Sequence, residues 1–372
     1  MSVVVARCDE YDIDNLEKTF EDAFIKLGGI EKYIKKGSKV LIKANLLMKS
    51  DPESATVTHP VFVAALSRVI ERQGGIVTIA DSPGGFYSEK ILKNLYVACG
   101  YDKITQMCGA KLNYDTSFKK VTYSLGSEVF PFAFITPFLE NDVIISAAKL
   151  KTHGFTTYTG AVKNLFGLVP GTYKAEYHMR FPNVDVFADM LVRLCGAAKP
   201  QLSFIDGIVG MEGAGPSGGT PRKVGAVISS DNPHEADLIG SKIIGLKPSQ
   251  VPTLKSAINM GLCPAAAEEV DTSGNIEDFI IKDYKQAAGG MGNMLNNSLL
   301  QKASNVFSPR PVFDGSKCVK CGECARCCPA KAIVMGKSKP IVDKKKCIRC
   351  FCCQELCPKK AVTIKRISFY LG

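Results

Sequence analysis

Cys318-Val319-Lys320-Cys321-Gly322-Glu323-Cys324-Ala325-Arg326-Cys327-Cys328-Pro329 and Cys347-Ile348-Arg349-Cys350-Phe351-Cys352-Cys353-Gln354-Glu355-Leu356-Cys357-Pro358 decide how the carboxyl-terminal part of this chain folds. Each stretch spaces four cysteines as C-x2-C-x2-C-x3-C and follows the last with proline. The two stand 29 positions apart, and Cys318–Val334 resembles Cys347–Ile364, so the region reads as a duplicated half-unit. Proline after each run directs the chain towards a helix start.

Three thiolates at i, i+3 and i+6 converge on one iron–sulfur cubane from a tightly wound loop. The same loop cannot close around the far iron, so the fourth ligand crosses from the other run. The spacing therefore predicts two [4Fe–4S] clusters. Cys318, Cys321, Cys324 and Cys357 hold one, and Cys347, Cys350, Cys353 and Cys328 hold the other. A single C-x2-C pair often means zinc, but two complete four-cysteine runs argue against it. Cys327 and Cys352 read as bystander thiols beside the ligands.

The chain has 372 residues, 15 of them cysteine. Its start, Met1-Ser2-Val3-Val4-Val5-Ala6-Arg7-Cys8-Asp9, lacks a basic segment and cleavage pattern, so no signal peptide is expected. No apolar run approaches the roughly 18 residues of a membrane span. These features predict a cytoplasmic protein, where thiols stay reduced and cysteines ligate metal rather than pair.

Charge is uneven. The net +11 is concentrated after Pro311, where 14 Lys or Arg face 4 Asp or Glu. Two clusters at about −2 each offset part of that surplus. The remaining basic character suits docking of an acidic redox partner protein better than nucleic acid, which is not expected.

Upstream, β-rich runs alternate with helical patterns. Strands are expected at Val3–Ala6, Lys39–Lys43, Ile76–Ala80, Val143–Ala147, Leu202–Asp206 and Val224–Ser229. Helices are expected at Asp14–Leu27, Pro60–Gln73, Ser88–Cys99, Val184–Cys195 and Pro233–Ile244. The alternation predicts an α/β fold, a mostly parallel sheet with helices on both faces. Lys111–Phe134 reads as an antiparallel excursion, and Lys247–Lys285 as a small α/β extension. Glycine, Asn, Ser and Pro mark a linker over 287–310, between a domain at 1–286 and another at 311–372.

Ligands bind open α/β sheets beyond the carboxyl ends of the strands. There the sequence gathers cations: Lys43, Lys149, Lys151, His153 and Lys163 are the candidate catalytic residues. Asp81, Ser82, Asp206 and Glu212 are the candidate cofactor-binding residues, and the acids among them suit a balanced charge site or a divalent ion. The cations suggest a small anionic ligand, a carboxylate or phosphate. The glycine-rich stretch 213–219 suggests backbone N–H groups turned to it. Neither it nor the Asp81–Gly85 stretch is a nucleotide fingerprint. The competing reading is structural: Asp and Ser after a strand often cap a helix, and lysines there are often solvated. Lys149–Gly167 has no clean period and reads as a loop with a function. Of the four histidines, His59 and His234 suit helix caps, and His153 and His178 suit acid–base work.

Residues 311–372 resemble a bacterial-type 2[4Fe–4S] ferredoxin domain, with both motifs intact. That resemblance implies a compact pseudo-twofold α+β fold and low-potential one-electron chemistry. Residues 1–285 resemble the domain of unknown function 362 (DUF362) family. The likeness rests on Lys39–Leu46, Thr58-His59-Pro60, Ala80–Gly84, Lys149–Gly167 and Asp206–Gly213. Ala44 stands where that family usually has proline, a change in loop stiffness rather than chemistry. The resemblance implies an α/β domain often fused to a ferredoxin module, but supplies no reaction. Two functions are open: an oxidoreductase whose large domain binds a small anion, or an electron carrier whose large domain docks a protein. Binding or maturation of another protein's metal cofactor is a third.

Overall fold

The computed structural model describes residues 1–125, 128–288 and 309–365. The expected linker at 287–310 falls almost wholly outside them. A nine-stranded sheet organises the first part: β1 Val3–Arg7, β2 Lys39–Ala44, β3 Ile76–Ala80, β4 Lys111–Leu112, β7 Val143–His153, β8 Thr157–Thr159, β9 Leu202–Glu212, β10 Thr220–Ser230 and β11 Thr272–Ser273. The order along it is β11-β1-β10-β9-β7-β2-β3-β4, with β8 folding back on β7. β9, β7, β2, β3 and β4 run parallel, whereas β10 is antiparallel to both neighbours. The fold is thus the mostly parallel α/β sheet that the alternating pattern implies.

Helices α1 Ile13–Lys26, α2 Pro60–Arg72 and α3 Glu89–Ala98 cover one face; α8 Val184–Ala198 covers the other. The antiparallel excursion is a separate hairpin, β5 Phe118–Leu125 and β6 Glu128–Ile135, packed on the α8 side. Between the hairpin elements and α8 lie α5 Thr136–Leu139, α6 Ala161–Asn164 and α7 Tyr173–Arg180; α4 Ile104–Met107 precedes β4. Helices α9 Pro233–Ile243 and α10 Pro252–Asn259 close the β1–β10 end around a second core. Phe20 meets Phe62 and Phe204 edge-on at 4.9 and 5.3 Å, joining α1, α2 and β9. Each such pair contributes about 0.5–1.5 kcal/mol beyond area burial.

Three sequence readings need correction. β7 does not stop at Ala147 but runs to His153, buried at every position. Helices and hairpin cover both of its faces, so its residues show no alternation and mimic a loop in sequence. β9 likewise continues to Glu212. His59 does cap α2, its Nδ1 accepting from the Val61 N–H, but the cap of α9 is Asn232, not His234.

The second part begins at β12 Arg310–Phe313, antiparallel to β15 Val362–Lys365. Between them lie α11 Glu323–Arg326, the hairpin β13 Ile333–Met335 and β14 Pro340–Val342, and α12 Cys352–Glu355. Each cysteine run contains a one-turn helix, and Pro329 and Pro358 lead through a turn into a strand rather than into the expected helix start.

Candidate functional site

Adjacent parallel strands β9, β7, β2 and β3 bring their carboxyl ends into one row. Over that row sits the cysteine-rich domain, and between them opens a cavity of about 130 Å3. Its α/β wall carries Lys43, Asn45, Asp81, Ser82, Lys151, His153, Lys163, Asn164, Lys174 and His178. Its other wall carries Glu323, Arg326, Cys327, Cys352, Glu355 and Leu356.

The lysines differ in what compensates them. Lys43 Nζ lies 2.9 Å from Asp81 Oδ1 and donates to Ala44 O and Asn164 Oδ1 at 2.7 and 3.1 Å. Asp81 Oδ2 accepts from the Leu46 N–H at 2.5 Å, so this pair is internally balanced. Lys151 Nζ donates only to neutral acceptors, Asn45 Oδ1 and Thr56 O, at 2.7 and 2.8 Å. Lys174 Nζ donates to Ser82 Oγ, Ser82 O and Val169 O, again all neutral. Lys163 Nζ stands 4.7 Å over the Phe166 ring and makes no hydrogen bond to the described residues. Among the described residues these three buried amines therefore lack a paired carboxylate, a setting that favours an anion in the cavity.

Burial drives the titration of these groups, because removing a cation from water favours its neutral form. Lys151 is pushed down to about 7, with the Glu355 charge opposing the shift and Lys149 and Lys163 adding to it. Lys174 is also pushed down to about 7 by burial, against the opposing pull of Asp81. Lys163 and Lys43 are lowered chiefly by burial. His153 is held neutral by burial and by Lys163 and Lys151. Its Nδ1 accepts from the N–H groups of Phe155 and Thr156, at 3.0 and 3.3 Å, which leaves the proton on Nε2. That Nε2 has no hydrogen-bond partner and lies 3.9 Å from Glu355 Oε2. His178 stacks on Phe187 at 4.4 Å and is lowered to about 3 by burial.

Of the expected site residues, Lys43, Asp81, Ser82, Lys151, His153 and Lys163 line this cavity, and Lys149, Asp206 and Glu212 do not. Asp206 accepts from Lys149 Nζ, Tyr11 OH and the His59 N–H at 2.8, 2.9 and 3.0 Å, beneath the stacked Tyr11 and His59 rings. This knot ties β7 and β9 to the start of α2. Glu212 accepts from the Lys285 N–H at 3.1 Å. Asp81, Asp206 and Glu212 thus serve separate networks, and no group of three such side chains among the described residues converges as ligands for a single metal ion. Lys174 escaped the sequence reading because it sits on α7, away from any strand end. Its signal was its place one turn before His178 on the same short helix.

The glycine-rich stretch after β9 does a different job from the one expected. Its carbonyl Ala214 O accepts from Gln354 Nε2 at 2.7 Å, and Ser217 Oγ donates to Glu355 O at 2.7 Å. It clamps α12 rather than turning N–H groups to a ligand. Glycine lets the seam close tightly: a Cβ on Gly154 would meet the Ile364 Cδ1 methyl, and one on Gly84 a Leu356 methyl, so those side-chain ends would have to shift.

The cysteine sets fit iron–sulfur clusters. Cys318, Cys321, Cys324 and Cys357 line one cradle together. Cys324 lies within electrostatic reach of the other three. Cys353 likewise senses Cys350, Cys347 and Cys328. Each crossing thiol accepts a backbone N–H at 3.2 Å, Cys328 from Ala332 and Cys357 from Ala361, as a cluster thiolate does. All fifteen cysteines are free of disulfides.

A lysine-lined α/β sheet roofed by a thiol-rich module with duplicated cluster loops defines a two-part iron–sulfur protein. The chain belongs to the family described as Domain of unknown function (DUF362), whose model matches residues 40–242, and a 4Fe-4S dicluster domain matches 310–358. It is 32% identical over 286 residues to the Thylakoid-associated protein sll1697 of Synechocystis sp., spanning 76% of this chain and 87% of that protein. Among solved structures it is similar to the lactate racemase apoprotein from Thermoanaerobacterium thermosaccharolyticum, with 14% identity and a TM-score of 0.42. That match covers 64% of this chain and 56% of the other. A Thermotoga maritima protein matches with 14% identity and a TM-score of 0.34, over 55% of this chain and 52% of its own. The chain spans little more than half the length of either solved structure. No helix among the described residues is long and apolar enough to cross a membrane.

Proposed function

We propose that this protein is an iron–sulfur oxidoreductase acting on a small organic anion held between its two domains. The observation that carries this is the cavity itself: three uncompensated lysines on one wall, and the dicluster module as the other. Cys318, Cys321, Cys324 and Cys357 would hold one [4Fe–4S] cluster, and Cys347, Cys350, Cys353 and Cys328 a second. Bound there, the clusters supply one-electron redox chemistry at low potential.

The chain's own residues supply the rest. Lys163 and Lys174 draw in the anion, and Leu47, Phe86, Phe166 and Leu356 give an organic body apolar walls. His153 offers a fixed Nε2–H donor to the ligand. Lys151, balanced near neutrality at about 7, exchanges a proton at Nζ as charge on the ligand changes. A one-electron protein of the dicluster kind implies a redox partner, and free thiols suit the reducing cytoplasm.

The test is anaerobic purification, iron and sulfide counting, EPR, and mass spectrometry of what co-purifies. Wild-type protein is expected to carry an organic anion that the Lys163→Met variant loses while keeping its cluster spectra. An anion-free wild type whose melting temperature no carboxylate or phosphate in a panel raises would remove the reading, leaving a pure electron carrier.

A further inference from the structure

The two thiol sets lie in unlike surroundings. Cys350 and Cys353 are buried, and α12 beside them is clamped to the Ala214–Ser217 stretch of the α/β domain. Cys352, Glu355 and Leu356 of the same segment line the cavity, as do Glu323, Arg326 and Cys327 of the first run. The Cys347–Cys353 set, with Cys328, is the more buried of the two. Cys321 of the other set is exposed, and Lys320 and Lys359 line the cradle around it.

The outer mouth has the makeup of a docking face. Val319 and Met335, 58% and 40% exposed, edge the cradle. Lys320 and Lys359 line it, Lys317 precedes its first cysteine, and Lys339 packs against Gly315 close by. The nearby acids are already engaged: Glu323 pairs with Arg326, and Asp314 accepts from Ser316. An apolar centre ringed by unpaired lysines fits a partner with carboxylates around an apolar redox edge.

We propose that electrons enter or leave this chain at the outer set, Cys318, Cys321, Cys324 and Cys357, through a lysine-ringed face that docks an acidic one-electron redox protein. The inner set, Cys347, Cys350, Cys353 and Cys328, is the more buried, beside the helix clamped to the α/β domain. Each exchange moves one electron and no atoms, so the partner is oxidised by one as this chain is reduced by one, or the reverse. The inference rests on the two-cluster reading but does not need the anion.

The test compares full-length holoprotein carrying Lys320→Glu with Lys359→Glu against Lys344→Glu with Lys345→Glu, an equal charge change on the Cys347 flank. The first readout is calorimetric binding of an acidic flavodoxin at low salt, both proteins oxidised so that no electron moves. The second is the rate at which hexacyanoferrate(III) reoxidises the reduced protein. The outer pair is expected to weaken binding about 10-fold or more and slow reoxidation about 5-fold, with flatter salt dependence. The flank pair stays within about 2-fold, and iron content is unchanged in both. An equal or greater loss from the flank pair, or none from the outer pair, overturns the assignment. Neither result bears on anion binding, whose lysines are untouched.

Discussion

His153 Nε2, at the end of β7, lies 3.9 Å from Glu355 Oε2 on the dicluster domain, and the two face each other across the mouth of one cavity. Glu355 is the carboxylate that most supports the charge of Lys151 and Lys163. It also occupies space in which an anion would feel repulsion. Glu355→Gln is therefore expected to tighten binding of the resident anion about 3- to 10-fold, measured by calorimetry, and to lower the pKa of Lys151 further. Weaker binding in Glu355→Gln would mean that the carboxylate holds the ligand rather than opposing it.

The low lysine pKa values make anion binding pH-dependent. An anion favours the ammonium form, so binding near pH 7 draws protons on to Lys151 and Lys174, both close to 7 when free. Affinity should fall as pH rises from 7 to 9, by up to about 10-fold per unit for each lysine that must charge. Calorimetry in buffers of different ionisation enthalpy should report net proton uptake at pH 7.5. In the empty protein the sign reverses into a cost. Unfolded Lys151 titrates near 10.4, so between about 7 and 10 the unfolded chain binds more protons and stability rises with pH. Lys151→Met should stabilise the protein most below pH 7, with the advantage shrinking towards pH 10 in urea titrations.

Asp206 offers the opposite case, a buried acid with no access to the cavity. Its three donors, Tyr11, Lys149 and the His59 N–H, make it a strut. Asp206→Asn leaves the Lys149 cation without its counter-charge and should cost about 3–5 kcal/mol in denaturant titrations. The molecules that still fold should bind the anion with unchanged affinity, whereas Lys163→Met should lose affinity with little change in stability.

The seam between the domains depends on missing side chains. Gly154→Val places methyl groups where Ile364 now packs. The seam should be forced apart at a cost of about 1–3 kcal/mol. Hydrogen exchange should quicken in Ala214–Ser217 and α12 while the nine-stranded sheet keeps its protection.

Much of this architecture was legible because strand and helix periods were clean wherever one face met solvent. Ile76–Ala80 and the start of α2 at Pro60 agree with the sequence reading to the residue. The end of β7 was not legible, since Lys149, Lys151 and His153 are buried polar residues inside a strand. Polar side chains there look solvated until the cavity is seen. The cavity's composition was half visible: six expected residues meet there, but Lys174 and the roof residues Glu323, Arg326 and Glu355 arrive through tertiary contact. Cys327 and Cys352, read as bystanders, also face the cavity, a placement that spacing alone does not encode.

The roof over the lysines belongs to the 4Fe-4S dicluster domain. Small cluster-binding modules owe much of their folding free energy to the metal they hold. Stripping the iron, as oxygen does, would therefore unlatch α12 from the Ala214–Ser217 clamp and bare the chamber to water. Loss of the metal centres and opening of the proposed anion site would then be one event.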